Sequence, residues 1–502
     1  MSDRILNASF RSKIMSADEA AALIPAGAAI GSSGFTPAGA PKAVPVALAK
    51  RAAAAKEAGE DFKVGIWTGA STGPSVDGAI AGAGAMSFRM PYQGDANCRK
   101  GINSGEIDYV DMHLSHAAPF AAAGFLGKLD YAIIEIVGIT EDGRLIPSTS
   151  VGNNATWIDL ADKVILEVNE FQTTDLEGMH DIYRPAMPPH RLPIPIVKPS
   201  DRIGESYFRV DPKKVVAVVN TNASDICAPF TPADQTSQTI ANNILEFLTH
   251  EVKKGRLPKN LLPLQSGVGN VANAVMAGLQ HGSFEHLTAY TEVLQDGTLD
   301  LLLSGKLDCA STTSLTFSPE AQAKFLANSK ALKSKIILRP QELSNNPEII
   351  RRLGLITMNA LIEADIYGNV NSTHIQQGTA MMNGIGGSGD FARNAYISMF
   401  MTPSTAKGGA ISCIMPMVTH VDHTEHDVHV LVTEQGLADL RGLSPKKRAK
   451  LIIENCAHPK FRPALQEYYD RALRLSPGKH TPHLLEEVYS FMPKWLAEHG
   501  EK

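Results

Sequence analysis

The chain has 502 residues, 44% hydrophobic and 20% charged, a composition that suits a globular protein of two or more domains. A formal net charge of −5 gives no electrostatic reason to expect a nucleic-acid partner. The five cysteines form no Cys-x-x-Cys pair and no run of 18 apolar residues occurs, which argues against a zinc knuckle, a disulfide framework and a membrane span.

In chain order, residues 1–16 lack the apolar core of a signal peptide, so a cytoplasmic location is expected. Ala28-Ala29-Ile30 leads into a Gly/Ser loop, and residues 41–51 read as a helix. Apolar, β-branched runs at 62–67, 131–137, 164–168 and 215–219 have strand length. Between Tyr183 and Pro212 lie seven prolines, too many for a continuous helix or a central strand. That stretch, about 183–212, is expected to be an irregular connector at the end of a first domain. Thr231-Pro232-Ala233-Asp234 predicts a helix start, with Thr231 as cap and Pro232 in the first turn. Ile240, Ile244, Leu245, Leu248 and Val252 continue one apolar face until Lys253-Lys254-Gly255 stops it. Strands alternating with helices favour an α/β fold.

Four motifs recur in the same order in the two halves. Ser33-Gly34 answers Ser266-Gly267. Thr68-Gly69-Ala70-Ser71 with Asp77-Gly78 answers Thr288 to Glu292 with Asp296-Gly297. Ile134-Glu135, Gly143 and Ser148-Thr149 answer Ile362-Glu363, Gly368 and Ser372-Thr373. Val168-Asn169-Glu170 answers Val432-Thr433-Glu434. The expected organisation is two related α/β domains, 1–222 and 223–502, facing each other across a cleft.

Glu292 is the leading candidate for chemistry. A Glu near a strand end is ordinarily solvated, but Leu287, Ala289, Tyr290, Val293 and Leu294 surround this one with apolar bulk. Burying a carboxylate is costly, so its burial implies a use. Two small-residue loops accompany it in the second half: Ser266-Gly267-Val268-Gly269-Asn270, opening a helix, and residues 384–390 around Gly387. A carboxylate with two loops of backbone N–H groups suits acyl transfer through a covalent glutamyl intermediate. The literal Gly-x-Gly-x-x-Gly at 384–389 has a poor strand before it and no acidic residue about 20 positions on, so a dinucleotide site is disfavoured. His420, His423, His426 and His429 recur at a spacing of three, which does not converge on a helix or strand. A polar loop is preferred there to a metal site. No Walker loop occurs.

With these motifs the chain resembles the acetyl-CoA hydrolase/transferase family of class I CoA-transferases. The likeness runs from Arg11-Ser12-Lys13 to residues 479–483. It is most specific at residues 69–74, 265–275, Glu292 in its Thr-Glu-Val context, 383–391 and 433–442. Residues 373–380 depart from the family's pattern. The resemblance implies Glu292 as nucleophile, Ser266 to Asn270 as a CoA- and oxyanion-binding loop with Val268 central, and Gly387 as a second oxyanion donor. It implies Asn383 and Lys407 as CoA contacts, and Ser71, Asn345 and Glu434 as polar positioning groups. It further implies CoA transfer between succinyl-CoA and acetate in a homodimer, with CoA as substrate and no resident cofactor or metal. Acyl-CoA hydrolysis, transfer to another short carboxylate such as propionate or 4-hydroxybutyrate, and non-catalytic CoA binding are the alternatives.

Overall fold

The computed structural model describes residues 3–229 and 231–499. They group into two compact units, residues 1–230 with 286–353, and residues 231–285 with 354–502. The grouping is not collinear with the chain: the segment carrying Glu292 follows the sequence division at 222 yet packs into the first unit.

The first unit is built on a sheet of parallel strands in the spatial order Asp108–Tyr109, Met86–Met90, Val64–Trp67, Ala29–Ser32, Tyr131–Ile139, Lys163–Asn169, Val215–Thr221. Leu145–Pro147 adds an antiparallel hairpin arm to Tyr131–Ile139. Every residue of Tyr131–Ile139 is buried. A parallel strand covered on both faces must be apolar throughout, which is why this segment reads as a continuous hydrophobic run. Helices Ala17–Ala22 and Val44–Glu57 pack Ala20, Val44, Ala47 and Leu48 against Ile30, Val64 and Ile66. The same unit holds a second parallel ladder, Ile336–Leu338, Leu307–Thr312, Leu287–Tyr290.

The second unit holds parallel strands Leu264–Ser266, Ile356–Ala360, Ile397–Met401 and Val430–Thr433, with Gly436–Asp439 folded back antiparallel. Its C-terminal helices Pro445–Asn455 and Arg462–Leu475 bury Ile452, Phe461, Leu465 and Tyr469 together. The protein is thus α/β, with two parallel-sheet α/β domains.

Counted by chain position, the first-half sheet runs 4-3-2-1-5-6-7. The second-half strands follow 4-3-2 in one ladder and 1-5-6-7 in the other. The Ser33-Gly34/Ser266-Gly267 pair falls at the end of strand 1 in each half. The pair at Thr68 and Thr288 falls on strand 2 or its end, and the Gly143/Gly368 pair in hairpins that follow strand 5. The Val168/Val432 pair does not correspond: Lys163–Asn169 is sixth and Val430–Thr433 seventh. Buried strand ends share a composition, which accounts for the likeness of these two segments.

The 183–212 connector contains neither helix nor strand, as its prolines require. It is anchored by Asp181, which accepts from the N–H groups of Ile203 (2.8 Å) and Gly204 (2.7 Å) and pairs with buried Arg339. The helix start near 231 differs from expectation. The cap is Asp234, accepting from Ser237 N at 2.7 Å, and the helix runs Gln235–Lys253. A carboxylate three residues before a free N–H is the better cap, so Thr231 and Pro232 stay in the loop.

Candidate active site

Glu292 sits in the two-residue gap between strands Leu287–Tyr290 and Val293–Leu294. There its backbone carbonyl accepts from Thr313 N (3.1 Å) and Thr312 Oγ1 (2.9 Å), which fixes the main chain. Its side chain is half-buried, so a substrate can reach it. Asn345 Nδ2 donates to Glu292 Oε2 at 2.7 Å, and Ser344 Oγ donates to Asn345 Oδ1 at 2.8 Å, orienting the amide. The short helix Gln341–Ser344 that delivers Asn345 is itself tied down. Tyr290 OH donates to Leu343 O (2.6 Å) and Gln341 Nε2 to Leu114 O (2.9 Å).

Burial raises the Glu292 pKa to about 7, against the lowering effect of the Asn345 hydrogen bond. Such a carboxylate is poorly solvated and more nucleophilic than one in water, yet half ionised near neutrality. Any step in which this carboxylate acts as a nucleophile should therefore slow tenfold per pH unit well below 7 and level off above it, which a pH–rate profile checks. Asn345→Ala should move the acid limb upward, since the contact favouring the anion is gone.

Ser71 lies on the loop after strand Val64–Trp67. Its Oγ donates to Asp77 Oδ2 at 3.2 Å, and Thr72 N donates to the same oxygen at 2.8 Å. Asp77 is fully buried against Arg89, whose Nε lies 2.8 Å from Oδ1 and whose Nη2 also reaches Ala70 O at 3.0 Å. Ala70 packs with Phe35, Leu114, Val293 and the Tyr92 ring in one apolar cluster, which brings the Ser71 loop beside the Glu292 segment. Burial, then the Glu292 charge, pushes the Tyr92 phenol up to about 12. Sequence reasoning missed Tyr92 and Arg89. Asp77 stands out in the sequence only as part of the repeated Asp77-Gly78 motif.

The remaining candidates lie in the second unit. Ser266 ends strand Leu264–Ser266, and Gly267 N donates to Met358 O at 2.9 Å. Gly269 (φ 131°) turns the chain into helix Asn270–His281, leaving Val268 60% exposed at the tip. The loop therefore has the expected form, with Asn270 as the first helical residue. Gly386 (φ 61°) and Gly387 turn into helix Ser388–Asn394. Asn383 Nδ2 is held by Ser372 O (3.1 Å) and Gly384 O (2.9 Å), so its amide braces the start of that loop. The divergent segment forms the hairpin His374–Ile375/Ala380–Met381, turned through left-handed Gln376, Gln377 and Gly378. Lys407 is exposed in the turn of hairpin Thr405–Ala406/Ile411–Ser412. Glu434 accepts from Ser404 N (2.7 Å), Ser404 Oγ and Gln435 Nε2 (2.9 Å), and these donors hold its pKa below the usual range despite burial. It is an anion fastening the chain after strand Ile397–Met401.

The four clustered histidines disperse. His423 is buried beside Phe400 and bonds Ser388 Oγ at 3.0 Å. His420 stacks on His374 at 3.8 Å, His429 Nδ1 accepts from Ser398 N, and His426 is exposed. Among the described residues no three His, Cys, Asp or Glu side chains form a group that could hold a metal.

Residues 1–220 match the acetyl-CoA hydrolase/transferase N-terminal domain, and residues 322–469 its C-terminal domain. The chain is similar to the succinyl-CoA:acetate CoA-transferase of Clostridium kluyveri, 53% identical over 98% of this chain and 91% of that protein. It is also similar to an acetyl-CoA hydrolase of Schizosaccharomyces pombe, 46% identical over 99% of this chain and 98% of that one. In fold it resembles RipA from Yersinia pestis, with a TM-score of 0.71 at 24% identity, covering 93% of this chain and 99% of RipA.

Proposed function

Since the chain belongs to the acetyl-CoA hydrolase/transferase family, and so is an enzyme acting on short acyl-CoA thioesters, we propose that it transfers CoA from succinyl-CoA to acetate, giving acetyl-CoA and succinate. The observation that carries this reading is Glu292: a reachable carboxylate with a raised pKa, oriented by Asn345.

In the proposed sequence a Glu292 carboxylate oxygen attacks the thioester carbonyl, and the C–S bond breaks with release of CoA thiolate. The resulting mixed anhydride is attacked by that thiolate at the Glu292 acyl carbon. Succinate leaves and a glutamyl-CoA thioester remains. Acetate then reverses both steps and leaves as acetyl-CoA. Each attack generates an oxyanion, first on the substrate acyl carbon and then on the Glu292 carbonyl. Backbone N–H groups at Val268 and Gly387 are the proposed donors, each worth about 10²–10³ in rate. Ser266, Gly267, Gly269, Asn270, Asn383 and Lys407 are assigned to CoA, and Ser71 and Glu434 to positioning. Thioester energy survives only where water is kept from the intermediates. We assign the protein to the cytoplasm as a homodimer, and regard residues 1–222 and 223–502 as duplicated domains. The shared strand order supports the duplication.

The S. pombe relative favours hydrolysis as the second reading, with water intercepting the same intermediates. Incubation with succinyl-CoA and acetate decides between them. Transfer yields acetyl-CoA in step with succinate and little free CoA, whereas hydrolysis yields free CoA independent of acetate. Propionate and 4-hydroxybutyrate in place of acetate would reveal a different preferred acceptor.

A further inference from the structure

In open α/β sheets, ligands bind outside the carboxyl ends of the strands where the strand order reverses. In the first-half sheet that point lies between Ala29–Ser32 and Tyr131–Ile139, and the protein has filled it with its own charges. Lys42 Nζ reaches Glu135 Oε2 at 2.6 Å, Asp225 Oδ1 at 2.7 Å and Ala40 O at 2.6 Å, with all three charged side chains at least nine-tenths buried. Glu167 takes the place an anionic ligand would hold at a helix N-terminus. Its carboxylate accepts from Lys42 N (2.7 Å), Ala43 N (3.1 Å) and Val44 N (2.6 Å) at the start of helix Val44–Glu57. Ser148 Oγ (2.6 Å) and Asn169 Nδ2 (3.1 Å) complete the shell of Glu135.

Asp225 connects this cluster to the Glu292 segment by two short routes. One passes through the loop from Gly34 to Gly39. Gly39 N donates to Asp225 Oδ1 at 3.1 Å, and at the other end Ser314 Oγ donates to Phe35 O at 2.7 Å. Between them Thr36 is held at φ 60°, a strained conformation for a β-branched residue, which persists only where its surroundings impose it. The Phe35 ring packs with Val293, the residue after Glu292. The other route passes through Thr149. Its Oγ1 donates to Asp225 Oδ2 at 2.6 Å and its carbonyl accepts from Leu315 N at 2.9 Å. Val151 N then donates to Thr313 O at 2.9 Å, and Thr313 N binds Glu292 O. Both routes end on residues 312–316, the segment that fixes the Glu292 backbone.

We propose that Asp225, neutralised by Lys42, is a positioning residue for the nucleophile: it clamps the strained Phe35–Gly39 loop and the Thr149 segment, and through them holds Glu292 against Asn345. The catalytic part of this inference rests on the proposed role of Glu292; the mechanical part does not.

The charged and titratable groups facing Asp225 are Lys42, Glu135 and the Cys227 thiol, which burial and the Asp225 charge push up to about 12. Tyr92, a phenol, is the titratable group facing Glu292, and the neutral Asn345 amide binds it. Loosening the clamp lengthens the Asn345 contact, so the acid limb of acylation should rise.

The test compares wild type, Asp225→Asn and the milder Thr149→Val, which cuts one route only. Expected in Asp225→Asn are faster amide hydrogen exchange in the peptide spanning 312–316, kcat down about 10–100-fold with KM for succinyl-CoA within about twofold, and an acid limb displaced upward. Thr149→Val should move the same way by less. Should Asp225→Asn fail to fold, Thr149→Val carries the test alone. Unchanged exchange at 312–316, or an unchanged kcat and acid limb in a folded variant, overturns the proposal. A wild-type enzyme that forms no Glu292 adduct would overturn the functional reading instead, and the exchange measurement would still decide the clamp.

Discussion

Glu292→Ala should lose turnover by roughly 10⁴-fold or more while the protein stays folded, because a nucleophile has no partial substitute in covalent catalysis. The structure makes the second half of that expectation specific. The Glu292 side chain accepts a hydrogen bond from Asn345, and its ionised form is disfavoured by burial. Removing it relieves a desolvated charge, so the melting temperature should hold or rise slightly. Glu292→Gln should be equally inactive while keeping an oxygen for Asn345. Steady-state turnover with succinyl-CoA and acetate, read beside a thermal melt, checks both points. Activity above about a hundredth of wild type in Glu292→Ala would place the nucleophile elsewhere.

The largest expected effect on stability is at Asp77. Asp77→Ala leaves the Arg89 guanidinium, fully buried, without its carboxylate, and breaking a buried pair on one side costs about 3–5 kcal/mol. For a unit of this size that corresponds to a melting point lower by on the order of 10 °C. The change also frees Ser71 Oγ and Thr72 N, so activity should fall beyond what partial unfolding explains. Differential scanning calorimetry gives the first quantity, and turnover well below the melt gives the second. A melt within about 2 °C of wild type would mean that Arg89 finds another anion.

Much of this was legible in the sequence, for identifiable reasons. Tyr131–Ile139 and Lys163–Asn169 stand out because a buried parallel strand has to be apolar on both faces. Glu292 stands out because a lone carboxylate interrupts such a run. The loop from Ser266 to Asn270 was recognisable because small residues precede a helical pattern, and helix Asn270–His281 begins there. The polar networks around these elements were not legible. Lys42 meets Glu135 across 93 residues and Asp225 across 183, and no local pattern encodes a pairing at that separation. Arg89 and Tyr92 carry no spacing signal, since their role comes from what the sheet brings beside them. The cap is Asp234 and not Thr231, because local sequence offers both as caps and only the packed helix decides between them. The contact grouping of His286–Leu353 with the first unit likewise follows from packing, which order along the chain does not reveal.

The proposed chemistry turns on one covalent species, and it can be weighed. The protein is incubated with succinyl-CoA in the absence of acceptor, quenched in acid and digested, and the peptide containing Glu292 is measured by mass spectrometry. A CoA-sized increase on that peptide, absent in Glu292→Ala and discharged by acetate with formation of acetyl-CoA, is the predicted result. Acetyl-CoA formed at full rate with no adduct on that peptide would contradict a glutamyl-CoA intermediate at Glu292.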